Sequence, residues 1–323
     1  MSLEVVDLGG LATFQDGGRL GWRRFGVPAS GPMDWFAHRA ANALVGNSPG
    51  AAAIELGLGE ITLRATSDCV VAAAGAGYEM STSIWTFPLW CAIRVRGGEI
   101  LRLKKTSPGN WVYLAVAGGF EVEPVLGSRS TYPRGGLGRM LQTGERLKVG
   151  KPARPLDALA ARTLSPGKRC MYGQSLVVDV ILGPQAERFD PRGIETLLES
   201  EYTLSASFDR MGYRLEGSAI ANGGGADLIS EGMVPGSVQV PANGLPIVMM
   251  ADGPTTGGYP KIACVARADL PRLAQCEPGL SRIRFRATTV EAAQARYRQL
   301  DGGLEAGIVA GDDWQDFVEL NSL

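Results

Sequence analysis

Apolar residues in this chain gather in short runs, and glycine or proline stands beside nearly every run. Such bounded runs, rich in Val, Ile, Leu, Ala and aromatic residues, read as strands. The pattern predicts strands over Ile54–Leu58, Asp68–Ala74, Ala92–Val95, Trp111–Ala117, Ser175–Leu182, Ser237–Val240, Pro246–Ala251 and Ile283–Ala287. Helical periodicity is rarer. In MDWFAHRAANALVG, Phe36, Ala40 and Leu44 share one helical face, and Gly46-Asn47 marks a stop. Ser30 or Gly31 is the expected N-cap, with Pro32 near the helix start and Asp34 in the first turn, where the helix dipole favours a carboxylate. His38, Arg39 and Asn42 then form a polar stripe opposite the apolar one. Arg192–Tyr202, Ala268–Gln275 and Val290–Leu300 are the other helical stretches. The class is mainly β with a few helices, and strands at short regular spacing suggest barrels.

The stretch Gly150–Arg169 has no clear period, is rich in Ala, Pro and Arg, and separates two strand-rich halves of similar length. The expected division is a first domain over 1–150, a linker over 151–174, a second domain over 175–290, and a C-terminal helix and acidic tail over 291–323. Trp314 and Phe317 in that tail are available to dock on the body or on a partner.

Composition narrows the function classes. The chain has 323 residues, 45% hydrophobic and 20% charged, with a net charge of −1. That balance is ordinary for a soluble globular protein and gives no basic field for nucleic acid. No run approaches the roughly 18 uninterrupted apolar residues of a membrane span. MSLEVVDLGG lacks a basic region followed by an apolar run, so no signal peptide is expected and the location is read as cytoplasmic. The five cysteines are widely spaced with no CxxC pair, which suits buried reduced thiols. His38 is the single histidine, so a two-histidine metal site cannot be built within one chain and no metal is expected. Chemistry must lean on carboxylates, lysine, hydroxyls and backbone amides. GxxxxGK[ST] is absent, so there is no standard ATP-phosphate loop of that kind.

Three polar, glycine-rich segments stand out. Thr13–Asp34, TFQDGGRLGWRRFGVPASGPMD, holds five glycines, two prolines, three arginines and two aspartates in 22 residues. A loop so rich in glycine lets backbone amides approach a ligand or a second chain closely. In Ser207–Gly217, SFDRMGYRLEG, Asp209 and Arg210 are either an internal ion pair pinning a turn or an arginine fork for a carboxylate or phosphate. The strongest lies in Ser230–Ile262, where Asp252 is followed by Thr255, Thr256, Gly257, Gly258, Tyr259, Pro260 and Lys261. Two hydroxyls, a glycine pair whose amides can form a nest, and a lysine suit an oxyanion, a carboxylate or a bicarbonate-like group. The bland alternative is a hairpin turn with a surface lysine.

The order QDGGRLG…GVPASGPMD…ANALVGN, YLAVAGGF…VLGSRSTYPRGG, FDRMGYRL, SEG…GSVQVPANGLPIVMMAD and TTGGYPKI resembles the biotin-dependent carboxyltransferase family. Its members are also called allophanate hydrolase subunit 2 or the C-type subunit of 5-oxoprolinase. The resemblance runs from about Gly9 to about Ala287. It implies two tandem cyclophilin-like β-barrel domains and a heteromeric enzyme. The partner would be a subunit of similar fold, either allophanate hydrolase subunit 1 or the B-type subunit of 5-oxoprolinase, with or without a third subunit. The activity it implies is ATP-dependent opening of the 5-oxoproline lactam to glutamate. The alternatives are transfer of CO2 from carboxybiotin to urea or a related amide, and a non-catalytic module that binds a kinase-inhibitor-like partner. Biotin would come from another protein, because no AMKM-type segment is present, and no cofactor is assigned to this chain alone. Activity by the isolated chain is not expected.

Residues matching the family motifs are Gln15, Asp16, Arg19, Ser30, Gly31, Asp34, Arg39, Asn42, Ser128, Arg129, Ser130, Asp209, Arg210, Glu231, Gln239, Asp252, Thr255, Thr256, Gly257, Gly258, Tyr259 and Lys261. Lys261 and the glycine amides would hold an anionic oxygen, with Asp252 or Glu231 as base if burial raised its pKa. The remainder are assigned to substrate binding. Thr13–Asp34 is expected to line a cleft shared with the Lys261 segment. Gly253-Pro254 departs from the polar pair that often precedes TTGG in the family.

Overall fold

The computed structural model describes residues 1–221 and 228–310 and divides into two compact units. The first comprises Met1–Arg19, Asp34–Cys170 and the described residues from Leu300; the second comprises Leu20–Met33 and Met171–Gln299. The acidic tail from 311 onward, with Trp314 and Phe317, lies outside the described residues.

In the first unit two antiparallel sheets enclose one core. One sheet has six strands in the order Arg146–Lys148, Ser2–Leu8, Glu60–Ala65, Ile100–Lys105, Tyr78–Thr82 and Thr86–Phe87. The other has seven: Leu11–Gln15, Ala53–Gly57, Trp111–Val116, Cys69–Gly75, Cys91–Val95, Arg162–Leu164 and Ile308–Ala310. Strands of the first sheet alternate, so Leu3, Val5, Ile61, Leu63, Leu101 and Leu103 point into the core. The central strands of the second sheet are buried on both faces, because the helix Trp35–Leu44 packs against Trp111–Val116 and Cys69–Gly75. That is why these two strands read as unbroken apolar runs. The stretch expected as a linker supplies the strand Arg162–Leu164, which pairs with Ile308–Ala310.

The helix Trp35–Leu44 differs from expectation at both its start and its polar face. Asp34 itself is the N-cap, accepting from Ala37 N at 2.9 Å. Ser30 and Gly31 both have positive φ, 54° and 86°, and lie before the helix begins. His38 and Asn42 are buried instead of solvated, because other elements cover that face too.

The second unit is a closed barrel of seven strands: Ser175–Leu182, Lys261–Val265, Ser237–Gln239, Ile247–Met249, Gly212–Glu216, Tyr202–Phe208 and Arg282–Ala287. Neighbours are antiparallel except Ser175–Leu182 and Arg282–Ala287, the parallel pair that closes the ring. Leu176, Val178, Tyr202, Tyr213, Val248 and Ile283 are among the side chains that fill it. Pro191–Glu199 is helical, with Asp190 capping Gly193 N at 2.7 Å and Pro191 at the first position. The expected helix ran to Tyr202, but Tyr202 opens a strand. The architecture is mainly β with four α-helices among the described residues. All five cysteines are free, four of them buried.

Candidate functional site

Within the barrel unit the candidate residues meet around a small two-stranded sheet, Glu231–Gly232 with Thr256–Gly257. Lys261 opens the barrel strand Lys261–Val265 and is buried. Its Nζ donates to Glu231 Oε2 at 3.1 Å and to Gly232 O at 3.2 Å. Gln185 braces the pair: its Nε2 donates to the same Glu231 oxygen at 2.7 Å, and its Oε1 accepts from Lys261 N at 3.1 Å. Glu231 is half-exposed, so this ammonium–carboxylate pair sits at the boundary between interior and solvent. The bland reading of Lys261 as a surface lysine is excluded by its 6% exposure.

The glycine pair does not form the expected nest. Gly257 is strand, and neither Gly257 nor Gly258 has a positive φ. Glycine at 257 serves close approach instead: a Cβ there would lie 2.5 Å from Gln239 Nε2 and 3.1 Å from Met233 Sδ. Gln239 Nε2 donates to Tyr259 O at 3.0 Å, and Gly258 O accepts from Leu228 N at 2.7 Å. Thr256 and Tyr259 are exposed, and Thr255 O accepts from Met233 N at 2.9 Å. Two exposed hydroxyls, of Thr256 and Tyr259, therefore precede the buried lysine in the chain.

Beside this segment Arg210 and Asp252 form a buried two-bond pair, and Arg210 Nη2 also donates to Gly31 O at 2.7 Å. The guanidinium fork is thus filled from within the chain. Asp209 is not part of that pair; its Oδ1 accepts from Met211 N at 2.8 Å and Gly212 N at 3.2 Å, pinning the turn. The ion pair expected here was Asp209 with Arg210; the buried pair that Arg210 makes is instead with Asp252, which is distant in sequence. Gly253 packs inside the turn, where a Cβ would meet Met250 O at 3.0 Å. Arg23 also reaches this region, donating from Nη2 to Met233 O and, at 3.5 Å, to Pro254 O. The stretch Thr13–Asp34 is therefore divided. Leu20–Met33 folds with the barrel unit that carries Lys261, and Thr13–Arg19 folds with the first unit.

Within the first unit the motif residues form a largely buried polar cluster. Asp16 accepts from Ser128 Oγ at 2.6 Å, Ser130 Oγ at 2.7 Å, Arg129 N at 2.6 Å and Gly18 N at 2.9 Å. Burial alone would raise its pKa, but these donors outweigh it and hold the carboxyl below its ordinary value. Arg19, with no exposed surface, donates to Val125 O and Ser130 O at 2.9 and 2.7 Å. Gln15 Nε2 bonds Thr13 Oγ1 and Thr131 O, and its backbone carbonyl meets His38 Nε2 at 3.0 Å. Burial pushes the His38 pKa down to about 4, so the ring is neutral at pH 7. Asn42 donates to Ala51 O at 3.0 Å. The Asp34 amide donates to Tyr113 Oη at 2.8 Å, and Tyr113 donates to Glu55 Oε2 at 2.7 Å. Arg129 Nε holds Val122 O at 2.7 Å, and Arg39 pairs with Asp301 while stacking 5.3 Å over Trp35.

Sequence reasoning missed Arg23, Gln185, Glu55 and Tyr113. Gln185, Glu55 and Tyr113 lie singly among apolar or unremarkable neighbours and carry no local signal. Arg23 stands inside the glycine-rich Thr13–Asp34 stretch, and its place between Trp22 and Phe25 was the available clue.

The family model described as carboxyltransferase domain, subdomain A and B, matches residues 25–287. The chain is 39% identical over 304 residues to the C-type subunit of 5-oxoprolinase from Escherichia coli K12, covering 92% of this chain and 95% of that protein. It is 29% identical over 331 residues to the urea amidolyase of Lachancea kluyveri, covering 94% of this chain but 18% of that protein. Among solved structures, that of the Kluyveromyces lactis urea carboxylase superposes with a TM-score of 0.84 at 26% identity, over 98% of this chain and 30% of that one.

Proposed function

Because this chain belongs to the carboxyltransferase family of subdomains A and B, we propose that it is one subunit of a 5-oxoprolinase-like enzyme. In this reading the enzyme opens the 5-oxoproline lactam to glutamate with hydrolysis of ATP. The observation that carries the reading is the higher identity to C-type subunits of 5-oxoprolinase, 39% and 38%, than to the urea amidolyase, 29%. The chain then works in the cytoplasm and only with companions, one of them of similar fold. In this reading ATP is handled by a companion.

The roles follow from the barrel-unit geometry. Lys261, buried and held by Glu231 and Gln185, supplies a fixed positive charge for the lactam oxygen as it gains negative character. Exposed Thr256, with Thr255 beside it, offers a hydroxyl to the same group. Glu231 is the better base of the two carboxylates. Its Oε2 accepts from Lys261 and Gln185 and it faces solvent, whereas both oxygens of Asp252 are taken by Arg210. Asp252 is then a positioning residue. In the first unit, Asp16 and its donors hold the Ser128–Ser130 loop in one conformation.

Likeness to urea amidolyase and urea carboxylase favours a second reading, carboxyl transfer from a biotin carried by another protein. Affinity capture of the tagged chain from its source lysate, followed by detection of biotin, separates the two. The 5-oxoprolinase reading expects two companions without biotin; a biotinylated companion in stoichiometric amount would replace it with carboxyl transfer.

A further inference from the structure

Three cations of the barrel unit crowd the segment between Glu231 and Lys261, and their charges are not equally matched. Lys261 has Glu231 at 3.1 Å, and Arg210 has Asp252 at 2.8 Å. Arg23 has no carboxylate partner among the described residues. Its Nη2 donates only to backbone oxygens, of Met233 and Pro254, while Nη1 is shut off from solvent and lacks any hydrogen-bond partner among the described residues. Burial draws the guanidinium below the usual arginine range, and no charge among the described residues opposes that effect. Arginine stays protonated in proteins, so among the described residues the Arg23 charge is unmatched.

A second donor on the same segment is also unmatched. Ser30 Oγ is enclosed without a partner among the described residues, in a residue whose φ of 54° is uncommon for anything but glycine. The next residue, Gly31, is tied through its carbonyl to Arg210 and hence to Asp252. Leu20–Met33 is therefore clamped to the Asp252–Thr255 turn at two points, by Arg23 on Pro254 O and by Gly31 on Arg210. A buried donor with no acceptor marks a place where water or a ligand belongs.

We propose that Arg23 is the seat of a carboxylate on the substrate, with Ser30 as a second donor on the same segment. This rests on the reading of the Lys261 region as the substrate site and deepens it. A planar guanidinium matches a carboxylate through two parallel hydrogen bonds. Freeing Nη1 toward a ligand requires the guanidinium to turn, and the bond to Pro254 O, at 3.5 Å, is the weak one to break. The substrate class is then a small amide that also bears a carboxylate. 5-Oxoproline meets that description and urea does not. The carboxyl group of a CO2 donor offers the same chemistry from a second source.

The test is calorimetric titration of the full chain, alone and with its co-purified companions, using 5-oxoproline, neutral 2-pyrrolidone and bicarbonate as probes. 5-Oxoproline is expected to bind at least about tenfold tighter than 2-pyrrolidone, the worth of a charged hydrogen bond. Arg23→Gln should erase that preference, Arg23→Lys should restore part of it, and Ser30→Ala should weaken it less. If Arg23→Gln instead abolishes bicarbonate binding and leaves 5-oxoproline untouched, Arg23 seats a CO2 donor, and the proposal that it holds the substrate's carboxylate is overturned while the 5-oxoproline reading stands. Equal affinities in wild type and a folded Arg23→Gln for every probe would overturn the seat, as would failure of all three probes to bind. Should Arg23→Gln not fold, Arg23→Lys decides: wild-type affinity for 5-oxoproline in that variant overturns the proposal.

Discussion

Arg210 and Asp252 meet through two buried hydrogen bonds, Nε to Oδ2 at 2.8 Å and Nη2 to Oδ1 at 2.9 Å, with side-chain exposures of 5% and 3%. Removing one member strands the other's charge in the interior, which costs about 3–5 kcal/mol. Arg210→Met and Asp252→Leu should each lose about that much in urea denaturation, while the double variant loses much less than their sum. A folded, stable Asp252→Asn with turnover reduced a thousandfold would instead mark Asp252 as the base.

Gly257 leaves no room for a side chain. The Cβ of Gly257→Ala would fall 2.5 Å from Gln239 Nε2, and Gln239 is 4% exposed and bonded to Tyr259 O. The expected outcome is a loss of about 1–3 kcal/mol in stability, as for overpacking elsewhere, together with displacement of the Thr256–Lys261 segment. Thermal unfolding and turnover by the assembled enzyme read the two effects. Gly26 has a φ of 82° but nothing within 4 Å of an added Cβ, so Gly26→Ala is the control for backbone strain without crowding.

The single histidine sets an acid limit. His38 has a pKa of about 4 when folded against 6.5 ordinarily, so between those values the unfolded chain binds a proton that the folded chain does not. Stability therefore falls as pH drops from 6.5 to 4, by about 3 kcal/mol in total from this group. His38→Gln should flatten that part of the stability profile. Asp16 acts lower down: its folded pKa lies below 3.8, so its contribution is complete above 3.8 and is lost as pH falls through the folded value. Denaturant midpoints from acid to neutral pH for His38→Gln and Asp16→Asn check the two windows.

What was legible in the sequence follows burial. Cys69–Gly75 and Trp111–Val116 are covered on both faces and show as apolar runs; Ser175–Leu182 was read to the residue. Ser2–Leu8 went unread because Glu4 and Asp7 interrupt its inward residues. The helix at Trp35–Leu44 was found from its apolar face, but the fate of His38 and Asn42 depended on what packs over them, which local periodicity does not encode. At the site, TTGGYPK was conspicuous as a dense local motif. Its supports, Gln185 and Arg23, arrive from distant parts of the chain, and pairing across such separations leaves no pattern in one sequence. The true partner of Arg210 was hidden for the same reason: Asp209 is its neighbour in sequence, Asp252 its neighbour in space.

Lys261 carries the chemistry in this account. Lys261→Met in the assembled enzyme should lower kcat by at least about a hundredfold, the usual worth of one preorganised donor at a developing charge. Thr256→Ala should cost less, and chain association, read by co-purification, should persist in both.

The most direct measurement is conversion of 5-oxoproline to glutamate, with ATP, by the purified companions with and without this chain. The account predicts turnover only when the chain is present, and its loss when Lys261→Met is supplied instead. Undiminished turnover by the companions alone would contradict it.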